Sequence, residues 1–301
     1  MRPRPLAVTP KASLQPVGGR RGAACRVQQQ EQGYTIVRSE EINGLHIAYQ
    51  RAGEGPPLVL LHGFIQDSRV WRRQIEDLSR DFDVIAWDAP GCGQSSDPPA
   101  SLGMPEYADC LAGLLENAGV SSAHVLGLSW GGTMALEFYR RHPDRVLSLI
   151  LADTYAGWAG SLGEEAAAQR LARCLRESEM PAEEWVPQWV PDAFSDAAGQ
   201  ALLDELASIM SDFHPVGFRA MSRSLAPDFR ELLPLIEAPT LLLWGDDDKR
   251  SPLSSGEMMR DNIRGARLVV IPSAGHVSNM EQPERFSAEV RDFVLSADTK
   301  E

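Results

Sequence analysis

Long apolar runs are missing from this 301-residue chain. None approaches the ~20 residues that a membrane-crossing helix needs, so no spanning segment is expected. Cysteine is sparse, four in all. Cys25, Cys92, Cys110 and Cys174 fall at none of the spacings that build a metal site or a redox pair, so they read as free thiols in a reducing compartment. Basic charge is also short: 29 Lys and Arg stand against 42 Asp and Glu, a net charge of −13. Nucleic acid is therefore not an expected partner. The first thirty residues lack acid altogether, carrying Arg2, Arg4, Lys11, Arg20, Arg21 and Arg26 among prolines and glycines. They have no hydrophobic segment of the secretory kind, and little of the serine and amphipathic period of a transit peptide. Residues 1–32 read as a disordered basic extension. A cytoplasmic protein is the expectation, with organelle targeting as the alternative.

Apolar residues make up 43% of the chain, enough for one core plus an insertion. From Gly33 onward strand and helix patterns alternate. Short apolar runs at Leu45–Tyr49, Leu58–Leu61, Phe82–Trp87, Ala123–Leu126, Leu147–Leu151, Thr240–Trp244 and Leu268–Ile271 predict strands. Tyr107, Leu111, Leu114 and Leu115 mark one buried helix face, and Phe286, Val290, Phe293 and Val294 another. Alternation of this kind implies an α/β protein with a mostly parallel, doubly wound sheet. The pattern breaks over residues 154–237, where Leu171, Cys174 and Leu175, then Leu202, Leu206, Ile209 and Met210, suggest amphipathic helices. That stretch is expected to be a helical cap inserted into a core of residues 33–153 and 238–298. Its aromatics Trp158, Trp185, Trp189, Phe194, Phe213 and Phe218 are expected mostly to fill the cap, with some facing a substrate pocket.

The most informative stretch is Gly127-Leu128-Ser129-Trp130-Gly131-Gly132, directly after an apolar run and directly before a helical one. It matches G-x-S-x-G in the strand–turn–helix context that exposes a nucleophilic serine at a sheet edge. Gly127 and Gly131 relieve the clashes of so sharp a turn. Glycine-flanked serines also occur in ordinary turns, but without that context.

A serine needs a base and an acid to act as a nucleophile. In chain order they should follow as Asp or Glu, then His. The run Thr240–Trp244 ends in Gly245-Asp246-Asp247-Asp248, and Arg267–Ile271 ends in Pro272-Ser273-Ala274-Gly275-His276. His276 is the expected base, since it alone follows a strand downstream of the acid. His124 reads as a core residue, His142 as a helix end and His46 as a strand residue, while His214 is a candidate for lining a pocket. For the acid, Asp248 is favoured from its place before Pro252; Asp246 and Asp247 are neighbours that geometry must exclude, and Asp153, ending another strand, is the outside candidate. Two backbone donors are needed for an oxyanion. Trp130 follows the serine, and Phe64, in the His62-Gly63-Phe64 loop after an earlier strand, is the second.

Together these motifs make the chain resemble the α/β-hydrolase fold superfamily, in its single-domain branch of esterases, lactonases, cofactor-free haloperoxidases and carbon–carbon bond hydrolases. The resemblance rests on His62-Gly63-Phe64, the segment Asp88 to Ser95, the Ser129 elbow, and Gly275-His276 followed by Glu281-Gln282-Pro283, and it runs from about Gly33 to Leu295. It implies a serine hydrolase that opens a carboxylic ester or lactone of a small, largely apolar substrate through an acyl-enzyme, with no cofactor. Carbon–carbon cleavage, perhydrolysis and acyl transfer use the same three groups, and a slow-turnover ligand receptor is a further reading. The resemblance also implies that Asp88 to Ser95 is a structural turn, while Cys92 stands where the family often carries histidine or an aromatic residue and receives no role. Serine rather than aspartate as nucleophile argues against haloalkane dehalogenase and epoxide hydrolase chemistry. The absence of Gly-Pro-Gly after His62-Gly63 argues against proline iminopeptidases, and the plain Phe64-Ile65-Gln66 loop weakens the carbon–carbon option.

Overall fold

The computed structural model of the chain describes residues 37–298. The extension expected over residues 1–32, and Cys25 with it, lie outside the described residues. Strands made wholly of apolar residues need cover on both faces, and that requirement sets the architecture. Eight strands, β1 (Val37–Ile42), β2 (Leu45–Ala52), β3 (Pro57–Leu61), β4 (Asp83–Trp87), β5 (Ala123–Leu128), β6 (Val146–Ala152), β7 (Thr240–Gly245) and β8 (Arg267–Ile271), form one sheet ordered β1-β2-β4-β3-β5-β6-β7-β8. The first two pairings in that order are antiparallel and the rest are parallel. Every residue of β4, β5 and β7 is buried.

Helices α1 (Arg72–Leu78), α2 (Met104–Asn117) and α3 (Trp130–Arg141) connect the strands from β3 to β6. Tyr107, Leu111, Leu114 and Leu115 on α2 are wholly inaccessible, as their spacing predicts. Each such side chain removed from water is worth about 2 kcal/mol. Between β6 and β7 the elements are helical: α4 (Trp158–Leu162), α5 (Glu164–Glu177), α6 (Ala182–Trp189), α7 (Gln200–Ser211) and α8 (Pro215–Leu225), with short 3-10 turns. Helices α9 (Leu253–Asn262), α10 (Ser278–Glu281) and α11 (Pro283–Asp298) complete the chain, and α11 packs beside α1. Among the described residues no helix is long and apolar enough to cross a membrane.

One strand escaped the pattern reading. β1 has mixed polarity and pairs only with β2, through an Asn43-Gly44 turn in which both residues have positive φ (51° and 80°). That conformation is the tight hairpin turn favoured by Asn-Gly.

Strand order also locates the site. From β3 the chain steps to β4 on one side and then crosses to β5 on the other, so connections diverge at the carboxyl ends of β3 and β5. Crevices form at such switch points. The turn after β4 braces that crevice. Asp88 accepts the amides of Ser68 (2.8 Å) and Gln94 (2.9 Å), while Ser95 Oγ donates to the Asp88 carbonyl and accepts from the Ala48 amide. Burial, then the charge of Asp67, pushes the Asp88 carboxyl from 3.8 up to about 6. Between those values the folded protein keeps a proton that the unfolded chain has released, so this group's contribution to stability falls as pH rises through that window. Asp88→Asn removes the dependence and also weakens one acceptor, at about 1–3 kcal/mol. In urea unfolding the variant is expected to trail the native protein by more at about pH 5 than at about pH 7. An equal gap at the two values contradicts the shift.

Candidate active site

Ser129 sits where β5 breaks into α3, with φ 53° and ψ −115°. Positive φ is costly for a residue with a side chain, and here the surroundings enforce it. A Cβ on Gly127 would lie 2.2 Å from the Gly131 carbonyl oxygen, and one on Gly131 would lie 2.2 Å from that of Leu61. Two positions without a Cβ thus let the first turn of α3 press against the ends of β5 and β3. The Ser129 amide donates to the Ala152 carbonyl at 2.9 Å, and Thr154 Oγ1 donates to the Ser129 carbonyl, which tie the turn to the end of β6.

His276 reaches this serine from the loop after β8. Its Nε2 lies 2.8 Å from Ser129 Oγ and its Nδ1 lies 2.8 Å from Asp248 Oδ2. A carboxylate can only accept, so Nδ1 carries the proton and Nε2 is left to accept from the serine hydroxyl. The other carboxylate oxygen of Asp248 accepts the amides of Arg250 (2.8 Å) and Ser251 (2.9 Å), which fixes its aim. Both the imidazole and the carboxylate are buried.

The neighbouring acids go elsewhere. Asp246 accepts the Ala274 amide at 3.3 Å, and Asp247 accepts the Asp196 amide at 3.3 Å. Asp153 lies just behind the site, accepting from the Gly245 amide at 2.8 Å and from Ser278 Oγ. It therefore braces the loop that carries Asp248 against the segment after His276. Burial, with the charge of Asp248 second, drives its carboxyl well above the ordinary carboxylate range.

Phe64 and Trp130 both flank the serine, but their side chains do different work. The Phe64 ring joins the cap's aromatic cluster, 5.3 Å from Phe218 and 5.9 Å from both Trp158 and Trp189. The Trp130 ring meets Tyr107 edge to face, 4.8 Å between centroids, and donates from Nε1 to Ser224 Oγ of α8 at 2.9 Å. The Trp130 amide opens α3, where a helix leaves its first N–H groups without intrahelical acceptors. His62 holds the Phe64 loop in place: Nε2 accepts the Ala89 amide at 3.0 Å and Nδ1 donates to the Gly63 carbonyl at 2.8 Å. Burial keeps this imidazole below its ordinary pKa, in keeping with a neutral ring.

A cavity of about 470 Å³ opens on Ser129 and His276, walled by Phe64, Trp158, Trp189 and Leu225. Trp185, Phe213 and Phe218 instead pack on one another at 5.1–5.8 Å, and Phe194 is buried. His214 does not line this cavity; its Nδ1 lies 2.7 Å from an Asp97 carboxylate oxygen, and it borders a separate, smaller crevice beside Phe213, Phe218 and Met221. His124 is buried against Ser148, and Cys92 is buried against Met221.

Two parts of the site, Tyr155 and the pair Arg170 and Arg250, carried no sequence signal strong enough to single out, and Glu281 was named there only as part of the motif after His276. The Tyr155 ring stands 6.1 Å from that of His276. Glu281 accepts from Gly275 at 2.9 Å and from the backbone and hydroxyl of Ser195, stapling the His276 loop to the segment before α7. Arg170 and Arg250 also line the cavity. Among the described residues no group of three or more His, Cys, Asp or Glu side chains is placed to hold a metal ion.

A doubly wound sheet with a helical insertion after its sixth strand, and a serine at the turn after its fifth, defines a class of capped α/β proteins. The chain belongs to the alpha/beta hydrolase fold family, whose model matches residues 56–173. It is similar to a thermophilic esterase from Thermogutta terrifontis, at 30% identity and a TM-score of 0.80 over 92% of this chain and 99% of that one. It is 29% identical over 271 residues to 3-oxoadipate enol-lactonase 1 of Acinetobacter baylyi, covering 88% of this chain and 95% of the relative. It is 27% identical over 277 residues to a 2-hydroxy-6-oxononadienedioate/2-hydroxy-6-oxononatrienedioate hydrolase of Burkholderia vietnamiensis, covering 85% and 93%.

Proposed function

We propose that the protein is a serine hydrolase that cleaves a carboxylic ester or lactone of a small, largely apolar substrate through an acyl-enzyme. The observation that carries this reading is the unbroken hydrogen-bonded chain Ser129–His276–Asp248, opening on a cavity whose wall is part aromatic and aliphatic and part charged. Ser129 Oγ attacks the carbonyl carbon as His276 Nε2 takes its proton, and Asp248 stabilises the imidazolium that results. The amides of Phe64 and Trp130 bind the oxyanion of the tetrahedral intermediate, each worth about 3 kcal/mol of barrier. His276 returns the proton to the leaving oxygen as the carbonyl–oxygen bond breaks. Water, deprotonated by the same ring, then releases the acid and restores the serine.

Supporting this reading, the esterase and enol-lactonase relatives act on ester bonds by their names. In the same reading residues 33–153 and 238–298 are the catalytic core and 154–237 the cap that shapes specificity. The buried thiols Cys92, Cys110 and Cys174 suit a reducing, cytoplasmic setting.

The adjacent aspartates supply the test. On p-nitrophenyl butyrate, Asp248→Asn is expected to lower kcat by roughly 10³–10⁴-fold, because an amide no longer fixes the tautomer of the base. Asp246→Asn and Asp247→Asn are expected to stay within about twofold of the native rate, since surface changes of this kind cost little. Native turnover in Asp248→Asn refutes the assignment of the acid.

A further inference from the structure

Among the described residues most arginines find a carboxylate. Arg51, Arg69, Arg140, Arg141 and Arg291 all hold Asp or Glu at 2.5–2.9 Å. Two guanidinium groups on the wall of the Ser129 cavity do not. Arg250 lies over the Trp189 ring, with Cζ 4.7 Å from its centroid, and gives one N–H to the Trp189 carbonyl. Its Nε is buried with no hydrogen-bond partner among the described residues. Arg170, from α5, stands 5.6 Å from the Tyr155 and Trp158 ring centroids and donates to the Tyr155 hydroxyl at 3.0 Å. Neither forms an ion pair among the described residues.

The other two cations of the wall are paired. Arg173 is held by Glu177 at 2.7 Å, and Lys249 by Asp196 at 2.5 Å. The one carboxylate lining the cavity, Asp192, is exposed and makes no ion pair among the described residues. Withdrawing a guanidinium from water without a direct ion pair is costly, and burial pulls Arg250 below its ordinary pKa, an effect that the charges of Asp192 and Asp248 offset only in part. An incoming anion offsets that cost. The planar fork of donors suits a carboxylate in particular.

We propose that Arg170 and Arg250 bind a free carboxylate carried by the substrate in addition to its scissile carbonyl, so that the preferred class is a carboxylate-bearing ester or lactone. This rests on the serine-hydrolase reading and narrows its substrate. The apolar wall would take the chain between the two ends.

Two esters of equal length test it: p-nitrophenyl hexanoate and mono-p-nitrophenyl adipate, which differ by a terminal carboxylate. The native enzyme is expected to favour the adipate monoester by about tenfold or more in kcat/KM, the scale of a charge-assisted hydrogen bond. Arg170→Met should lose about tenfold on that ester, mainly through KM, while hexanoate turnover stays within about threefold; Arg250, whose amide also aims Asp248, is read only through the adipate-to-hexanoate ratio of Arg250→Met, which should fall about tenfold. The retained hexanoate rate certifies the fold, and Arg170→Met carries the test alone where Arg250→Met does not fold. Equal native rates on the two esters, or equal losses on both, overturn the proposal and leave the hydrolase reading standing. A binding arm is independent of turnover. Calorimetry with Ser129→Ala protein should show monomethyl adipate binding and dimethyl adipate failing to bind. If neither ester is turned over but that contrast holds, the anion site stands and the hydrolase reading falls. Tighter binding of the analogue with phosphonate in place of carboxylate overturns the carboxylate assignment.

Discussion

Replacing Ser129 with alanine is expected to lower turnover of p-nitrophenyl butyrate by roughly 10⁴–10⁶-fold, the range in which removal of a nucleophile leaves only binding and oxyanion stabilisation. The change deletes one oxygen, whose partner is His276 Nε2 at 2.8 Å. The backbone bonds of Ser129 to Ala152 and Thr154 survive in alanine, so the thermal midpoint should stay within a few degrees. The pairing of a large kinetic loss with a small thermodynamic one separates a chemical role from a structural one. A variant that turns over at the native rate, or one that simply unfolds, contradicts the role given to this residue.

The second large effect is expected at Gly127. An alanine Cβ there meets the carbonyl oxygen and carbon of Gly131 at 2.2 and 2.4 Å and the nitrogen of Gly132 at 2.5 Å. All three are backbone atoms of the first turn of α3, so no flexible side chain can yield. Relief requires moving the elbow itself. We expect Gly127→Ala to destabilise the protein by more than about 3 kcal/mol in urea unfolding, at the upper end of overpacking effects. Any folded fraction should lose about 10²-fold in turnover, since a displacement of about 1 Å at the nucleophile is enough for that. Gly119 provides the contrast. It has φ +76° but open space around a Cβ, so Gly119→Ala should cost about 1 kcal/mol of backbone strain and leave turnover intact. Similar losses at the two positions would show that the close approach at Gly127 is not what matters.

Why some of this was readable from residues alone, and some not, follows from the range of the forces involved. The buried strands announce themselves because cover on both faces demands unbroken apolar runs, as in Thr240–Trp244. β1 is an edge strand, half-buried and mixed in polarity, so no apolar run marks it. Ser129 and His276 were legible because a strand end, a glycine and a nucleophile or base lie within a few residues of one another. The acid was legible only as a favoured candidate, Asp248 before Pro252, because Asp246, Asp247 and Asp248 are chemically the same residue. What distinguishes them is three-dimensional: Asp248 alone is aimed by the Arg250 and Ser251 amides at the imidazole.

The cap illustrates the same limit. Helical period marks a buried face but not whether that face meets the cap's interior or the cavity. Trp185 and Trp189 sit four residues apart on α6, yet only Trp189 lines the cavity. Arg170 and Arg250 look in sequence like ordinary solvated charges. Their significance arises only when α5 and the loop after β7 bring them to one wall, where neither forms an ion pair among the described residues.

The central claim is that Ser129 becomes acylated during turnover, and intact-protein and peptide mass spectrometry tests it directly. The enzyme is mixed with p-nitrophenyl acetate and quenched in acid within the first turnover. The account predicts one added acetyl group per chain, located on the peptide containing Ser129 and absent from Ser129→Ala. Full turnover with no acetyl adduct at any time point, or with the adduct on another residue, would contradict it.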